Sequence, residues 1–175
     1  MTDQLPIIVW ISGLPGCGKT STARSLITRL NVDRPDLFLS YIEVGLAVRQ
    51  IFSLEPHNTP MSDIRLLEYM KSFILSGDDV VIVSGAREPF LLRIKPQAVN
   101  IVVWLSLNPS TRSERFKIRD PHRDFEKETL RSIQLGVLDI EKRATIYSYT
   151  DFDTSDAVTR TAQLIDNIIK EVKVE

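Results

Sequence analysis

The chain has 175 residues, 43% of them apolar and 26% charged, and a formal net charge of −1. That length suits one domain, spanning 1–175, with a real core, and the near-zero charge supplies no overall field toward nucleic acid or anionic lipid. A single cysteine, Cys17, excludes an intrachain disulfide, the opening MTDQLP lacks the basic segment of a secretion signal, and no apolar run approaches the roughly 18 residues that span a bilayer; the expectation is a cytoplasmic protein, monomer or homodimer, with no membrane partner.

Ile7 to Ile11 is a continuous β-branched run after Pro6, as in a strand buried on both faces. Ala23, Leu26, Ile27 and Leu30 recur at helical spacing after Lys19. A second strand is predicted over Phe38 to Val44, then a helix from Gly45 to Phe52 and a polar loop containing His57. Ser62 is the predicted cap of the next helix, with Leu66, Leu67, Met70, Phe73 and Ile74 along one stripe.

DDVVIVSG and Val99 to Leu105 read as two more short strands. Asn108-Pro109 opens a helix, Asn as cap and Pro in the first turn, which ends near Asp120-Pro121. A long polar helix is predicted from Phe125, a last strand over Tyr147 to Phe152, and a final helix from Asp156 carrying Val158, Ala162, Ile165, Ile168, Ile169 and Val172. Strands alternating with helices imply a doubly wound α/β fold, a parallel sheet of about five strands flanked by helices.

Between the first strand and first helix stand Gly13, Leu14, Pro15, Gly16, Cys17, Gly18, Lys19 and Thr20, which fit G-x-x-x-x-G-K-S/T without a gap. Glycines allow backbone amides to turn inward around phosphate oxygens, and the helix start adds the positive end of its dipole. Lys19 then reaches the β- and γ-phosphates, and the Thr20 hydroxyl, followed by Ser21, takes a place on Mg2+. The stretch is a nucleoside-triphosphate site. Cys17 sits at a position the motif leaves open, as a plain loop residue or a reactive thiol.

Neither a guanine signature nor the usual strand-end aspartate is present; Ser84 stands where that acid would be. Here the chain resembles the P-loop nucleoside-monophosphate kinases, adenylate and cytidylate kinase-like, together with the related dephospho-coenzyme A kinases. The resemblance rests on GLPGCGKTSTAR, on Gly45 and Arg49 after the second strand, on Ser84-Gly85-Ala86-Arg87, and on Arg115 and Arg119 after the fourth strand. It implies that Arg49 and Arg87, with Gly85, hold an acceptor, and that Arg115 lies near the donor base while Arg119 reaches the phosphates. Leu46 and Ser84 replace two aspartates of the family, so the resemblance passes the acid role to Glu43. It also implies an acceptor-binding insert at about 45–76 and a short lid at about 119–126.

Independently of the resemblance, Glu43 ends a parallel strand, where open α/β sheets bind ligands, and Asp63 and Asp124 are the alternative acids. Arg112, Arg115, Arg119 and Arg123 follow at helical spacing, so that much of the cluster faces one way. Trp10 and Trp104 fall in buried strands, and His57 and His122 have no metal-ligand spacing. The expected activity is ATP- and Mg2+-dependent phosphoryl transfer to a small nucleotide-like acceptor. The alternatives are a kinase for a hydroxyl on a nucleic acid or modified base, and a nucleotide-binding switch of weak catalysis.

Overall fold

The apolar runs become five parallel strands in the computed structural model, which describes residues 6–52, 60–74, 78–95, 97–149 and 154–172. They are β1 (Ile7–Ser12), β2 (Leu39–Glu43), β3 (Val80–Ser84), β4 (Val99–Ser106) and β5 (Ile146–Tyr149), in the order β2-β3-β1-β4-β5. β1 lies at the centre because every one of its residues is buried; a strand covered on both faces has no need of polar alternation. The helices are α1 (Lys19–Asp33), α2 (Val44–Phe52), α3 (Pro60–Ile74), α4 (Pro109–Arg119), α5 (Phe125–Gln134), α6 (Val137–Glu141) and α7 (Ser155–Val172).

The alternation of β1 sorts the core into two layers. Ile7, Val9 and Ile11 pack with α1 and α7 through Leu26, Leu30, Ile165 and Ile169. Ile8 and Trp10 pack on the other face with Leu66, Met70 and Ile74 of α3. Full burial of each such side chain contributes about 1.5–3 kcal/mol. Trp10 has no exposed surface and donates its indole N–H to Asn100 Oδ1 at 2.8 Å, so the strand tryptophans belong to the core, as expected.

Several boundaries differ from the sequence expectations. α3 starts at Pro60, which puts Ser62 inside its first turn instead of at its cap. A 3-10 helix, Pro89–Arg93, follows β3 with Leu91 and Leu92 turned inward; it is too short to show a helical period. The long helix predicted from Phe125 breaks between Gln134 and Val137, where Gly136 adopts φ +95°, a left-handed value that side chains disfavour. β5 begins one residue before its predicted start, and the predicted strand residues 150–152 lie outside the described residues, as do His57 and the side chains of Phe73 and Val172. Asn108 does cap α4: its side chain accepts from the Ser110 N–H at 3.0 Å. Among the described residues no helix is long and apolar enough to cross a membrane.

The chain leaves β1 toward the face covered by α1 and leaves β3 toward the face covered by the 3-10 helix. A crevice therefore opens at the carboxyl ends of β1 and β3, the position where open α/β sheets bind ligands. Two bonds tie the strand ends together: the Gly85 N–H donates to Ile11 O at 3.0 Å, and the Ser12 hydroxyl donates to Ala86 O at 2.7 Å.

Candidate active site

The loop from Gly13 to Gly18 joins β1 to α1 at this crevice. Lys19 folds back over it, and its Nζ donates to the carbonyls of Gly13 and Leu14, both at 2.9 Å. Burial pulls the Lys19 pKa below its ordinary value; the Cys17 sulfur opposes this, and the positive charges of Arg87 and Arg119 add to it. Like charges acting on a half-buried ammonium are an electrostatic cost that anionic phosphate relieves.

Gly16 is fixed by its neighbour. It has φ +83°, and a Cβ there would stand 2.3 Å from the Arg112 carbonyl oxygen. Arg112 itself is buried, unlike a solvent-facing member of an arginine stripe. Its Nε donates to Leu107 O at 3.2 Å, its Nη1 reaches Pro15 O at 3.5 Å, and its guanidinium covers the Phe125 ring at 5.4 Å. α4 therefore braces the loop from behind. Cys17 also departs from the expectation of an open loop position: it has no exposed surface and belongs to the core beneath the loop, its Sγ 3.8 Å from Lys19 Nζ. Thr20 is half-buried at the first turn of α1, and Ser21 is exposed.

Across the sheet, Ile11, Ser84 and Glu43 lie in one register. Tyr41 and Glu43, two residues apart, share the face on which α1 packs. The Tyr41 hydroxyl is 2.8 Å from Ser84 Oγ. Burial raises the Tyr41 pKa against the bond from Ser84; the Glu43 charge raises it further, while Arg24 and Thr20 lower it. Hydroxyls of Thr20, Tyr41 and Ser84 and the half-buried Glu43 carboxylate thus gather at one end of the sheet, an all-oxygen set that fits Mg2+. Among the described residues no three acids, histidines or cysteines cluster to hold a metal.

The rim holds the arginines. Arg87, just past Gly85, pairs with Glu128 Oε2 at 3.4 Å, and Arg123 pairs with Glu128 Oε1 at 2.7 Å. Burial lowers the Arg87 pKa, Glu128 and Glu88 oppose that, and the Arg131 charge adds to it. Glu128 and Arg131 are rim residues that the sequence reading passed over; their only trace is a three-residue spacing on α5. Arg119 is exposed, bonded to Asp120 at 2.7 Å and set over Phe116 at 5.6 Å. Arg115 is half-buried on α4, and Arg49 is exposed near the end of α2. The arginine series therefore divides, Arg112 inward and Arg119 and Arg123 outward over Phe116.

Of the alternative acids, Asp124 caps α5 by accepting from the Lys127 N–H at 3.0 Å, and the side chain of Asp63 lies outside the described set. Leu46 is exposed, His122 is exposed, and the Tyr69 hydroxyl donates to Gln50 at 2.9 Å. A cavity of about 350 Å3 flanks the loop at the ends of β4 and β5, lined by Leu14, Trp104, Ser106, Asn108, Arg112 and Tyr149 among others; a nucleobase fits such a volume.

No protein-family model matches this sequence, and no curated protein matches it. Solved structures do. A gluconokinase from Sinorhizobium meliloti 1021 superposes with a TM-score of 0.66 at 15% identity, covering 98% of this chain and 98% of that one. A shikimate kinase from Bacteroides thetaiotaomicron gives 0.60 at 16% identity, covering 91% and 98%. This is the P-loop kinase fold. A shikimate kinase from Acinetobacter baumannii in complex with shikimate agrees, with a TM-score of 0.59 at 17% identity over 94% of this chain and 95% of that one. At these identities the P-loop kinase fold is shared while the site residues are the chain's own, and Glu43, Tyr41 and Arg87 have to be read from their surroundings.

Proposed function

We propose that this chain is an ATP- and Mg2+-dependent kinase that transfers the γ-phosphoryl group to a small nucleotide-like acceptor, of the class of a nucleoside monophosphate or dephospho-coenzyme A. The observation that carries the reading is Lys19, folded over the loop onto the carbonyls of Gly13 and Leu14, with the charges of Arg87 and Arg119 acting against its own. Phosphoryl transfer requires mainly positioning and charge neutralisation, and the crevice offers both.

In this reading the loop amides from Gly13 to Gly18 and the Lys19 ammonium hold the donor phosphates, and Arg115 lies along the nucleotide. Thr20 and Glu43 are the oxygen donors toward Mg2+, which when bound neutralises phosphate charge. Arg87 and Arg49, with the Gly85 backbone, hold the acceptor, and Arg119 swings from Asp120 onto the transferring group. The acceptor oxygen attacks the γ-phosphorus as the bond to the bridging oxygen of ADP breaks. A hydroxyl acceptor gives its proton to Glu43; a phosphate acceptor is only oriented by it. In the same reading residues 45–76, of which 53–59 and 75–76 lie outside the described residues, belong to the acceptor side and 119–126 to the lid, all within one domain.

A second reading keeps the chemistry and takes a small polyhydroxy acid as acceptor. It is favoured by the near-complete overlap of this fold with a gluconokinase and by its likeness to shikimate kinases. Incubation with γ-labelled ATP and a panel of nucleoside monophosphates, dephospho-coenzyme A, gluconate and shikimate tests both. Label should pass to one acceptor class in wild type and to none in Lys19→Ala; tight ATP binding with no transfer to any of them would turn the reading toward a nucleotide-binding switch.

A further inference from the structure

Arg112 carries a charge that the donor-site reading leaves unused. The residue is only 7% exposed, and among the described residues no carboxylate pairs with it. Its guanidinium donates instead to two backbone carbonyls, Leu107 O at 3.2 Å and Pro15 O at 3.5 Å. Carbonyl oxygens bear partial charges only, so a full positive charge stays uncompensated where water screens it little. Pro15 lies in the loop between Gly13 and Gly18, and the Arg112 backbone closes on Gly16 so tightly that a side chain would not fit there. The charge therefore stands directly behind the loop. Phe125 holds it from the other side: the guanidinium covers that ring at 5.4 Å, and the ring meets the buried Phe116 of α4 edge-on at 5.6 Å.

We infer that Arg112 strengthens donor binding by acting on the phosphates through the loop with its charge, and that Phe125 is the positioning residue that keeps it there. The inference rests on the donor-phosphate reading of the loop above and adds two residues to it. An unpaired buried cation is costly to the empty protein. A triphosphate on the far side of the loop relieves that cost, and the relief appears as affinity for the polyanion. Cation–π attraction to Phe125 strengthens where water is excluded. Phe125 is also the first residue of α5, at the end of the proposed lid, so the landing of the lid helps to set where the charge stands.

A fluorescent ATP analogue is titrated, in MgCl2, into wild type, Arg112→Met, Arg112→Lys, Phe125→Leu, Phe125→Tyr and the double variant Arg112→Met with Phe125→Leu. Melting curves establish folding. Arg112→Met should weaken binding by about 10-fold or more, the worth of an interaction with a charged group. Arg112→Lys keeps the charge and loses the fork, so it should bind more tightly than Arg112→Met; equal losses would show that the bonds to the carbonyls matter and the charge does not, and would overturn the inference. Phe125→Leu should weaken binding about 3-fold, and Phe125→Tyr, which keeps the ring, should match wild type. A tyrosine variant as weak as the leucine variant overturns the role of the ring. The double variant should bind no more weakly than Arg112→Met alone, because the ring acts through the guanidinium; losses that multiply overturn its positioning role. The Phe125 pair carries the test should Arg112→Met not fold. Wild-type affinity in every variant overturns the inference and leaves the donor-site reading in place. No binding of the analogue by wild type overturns that reading, and this inference with it.

Discussion

The two sides of the crevice are built differently. The proposed donor side is made of backbone: the loop from Gly13 to Gly18, a helix start, and a lysine that bonds the carbonyls of that loop. The proposed acceptor side is made of side chains from separate elements, with Arg49 on α2 and Arg87 after β3, the latter held by Glu128 of α5, which also pairs with Arg123. A backbone cradle depends on few residues and suits any triphosphate, whereas a side-chain rim is easily rebuilt for another acceptor. Disturbing the donor side should therefore abolish the reaction, and disturbing the acceptor side should change its substrate affinity.

The largest effect is expected at Lys19. Lys19→Ala should lower the rate of phosphoryl transfer by on the order of 10³-fold, the upper range for losing one preorganised donor to developing charge, with an unchanged circular dichroism spectrum. Next comes Glu43→Gln, which keeps the shape and removes basicity. Turnover with a hydroxyl acceptor should fall about 10²-fold while ATP affinity holds; wild-type turnover would show that positioning alone suffices. Arg87→Ala should raise the acceptor KM by about 10-fold or more, the worth of a hydrogen bond to a charged group, which steady-state kinetics at saturating ATP will read.

How these two sides compare in legibility follows from their construction. The eight-residue motif from Gly13 to Thr20 is contiguous and so legible directly, and the buried run of β1 and the Asn108 cap are equally local signals. The strand order is not local, because it depends on which faces α1 and the 3-10 helix cover. Tyr41 reads in sequence only as part of a strand, since its partner Ser84 is brought to it by the pairing of β2 with β3. Cys17 looked unconstrained because the motif does not specify it, while the core beneath the loop does. Glu128 and Arg131 were hidden inside an amphipathic helix whose charges resemble a solvated face, and Arg112 gained its buried role only from the close packing of α4 on Gly16.

The smallest predicted effect concerns the stability of the rim. Burial alone would raise the pKa of the Glu128 carboxyl, but the hydrogen bond and charge of Arg123, with Arg87 and Arg131, outweigh it and hold it below the ordinary value. Its ion pairs then contribute fully above the unfolded-state pKa of about 4.3, and that contribution is lost as pH falls through the lower folded-state value. Glu128→Gln should be less stable than wild type by about 1 kcal/mol at pH 7, and urea titrations below about pH 4 should find the two proteins converging. A gap that is constant with pH would mean that the lost contacts are steric.

Calorimetric titration of ATP with Mg2+ into wild type, Lys19→Ala and Arg87→Ala tests the division between donor and acceptor sides most directly. The account predicts binding to wild type, an affinity in Arg87→Ala within about 3-fold of it, and a loss of at least about 10-fold in Lys19→Ala, where a charge-assisted contact to phosphate disappears. Equal losses in the two variants, or full ATP affinity in Lys19→Ala, would contradict it.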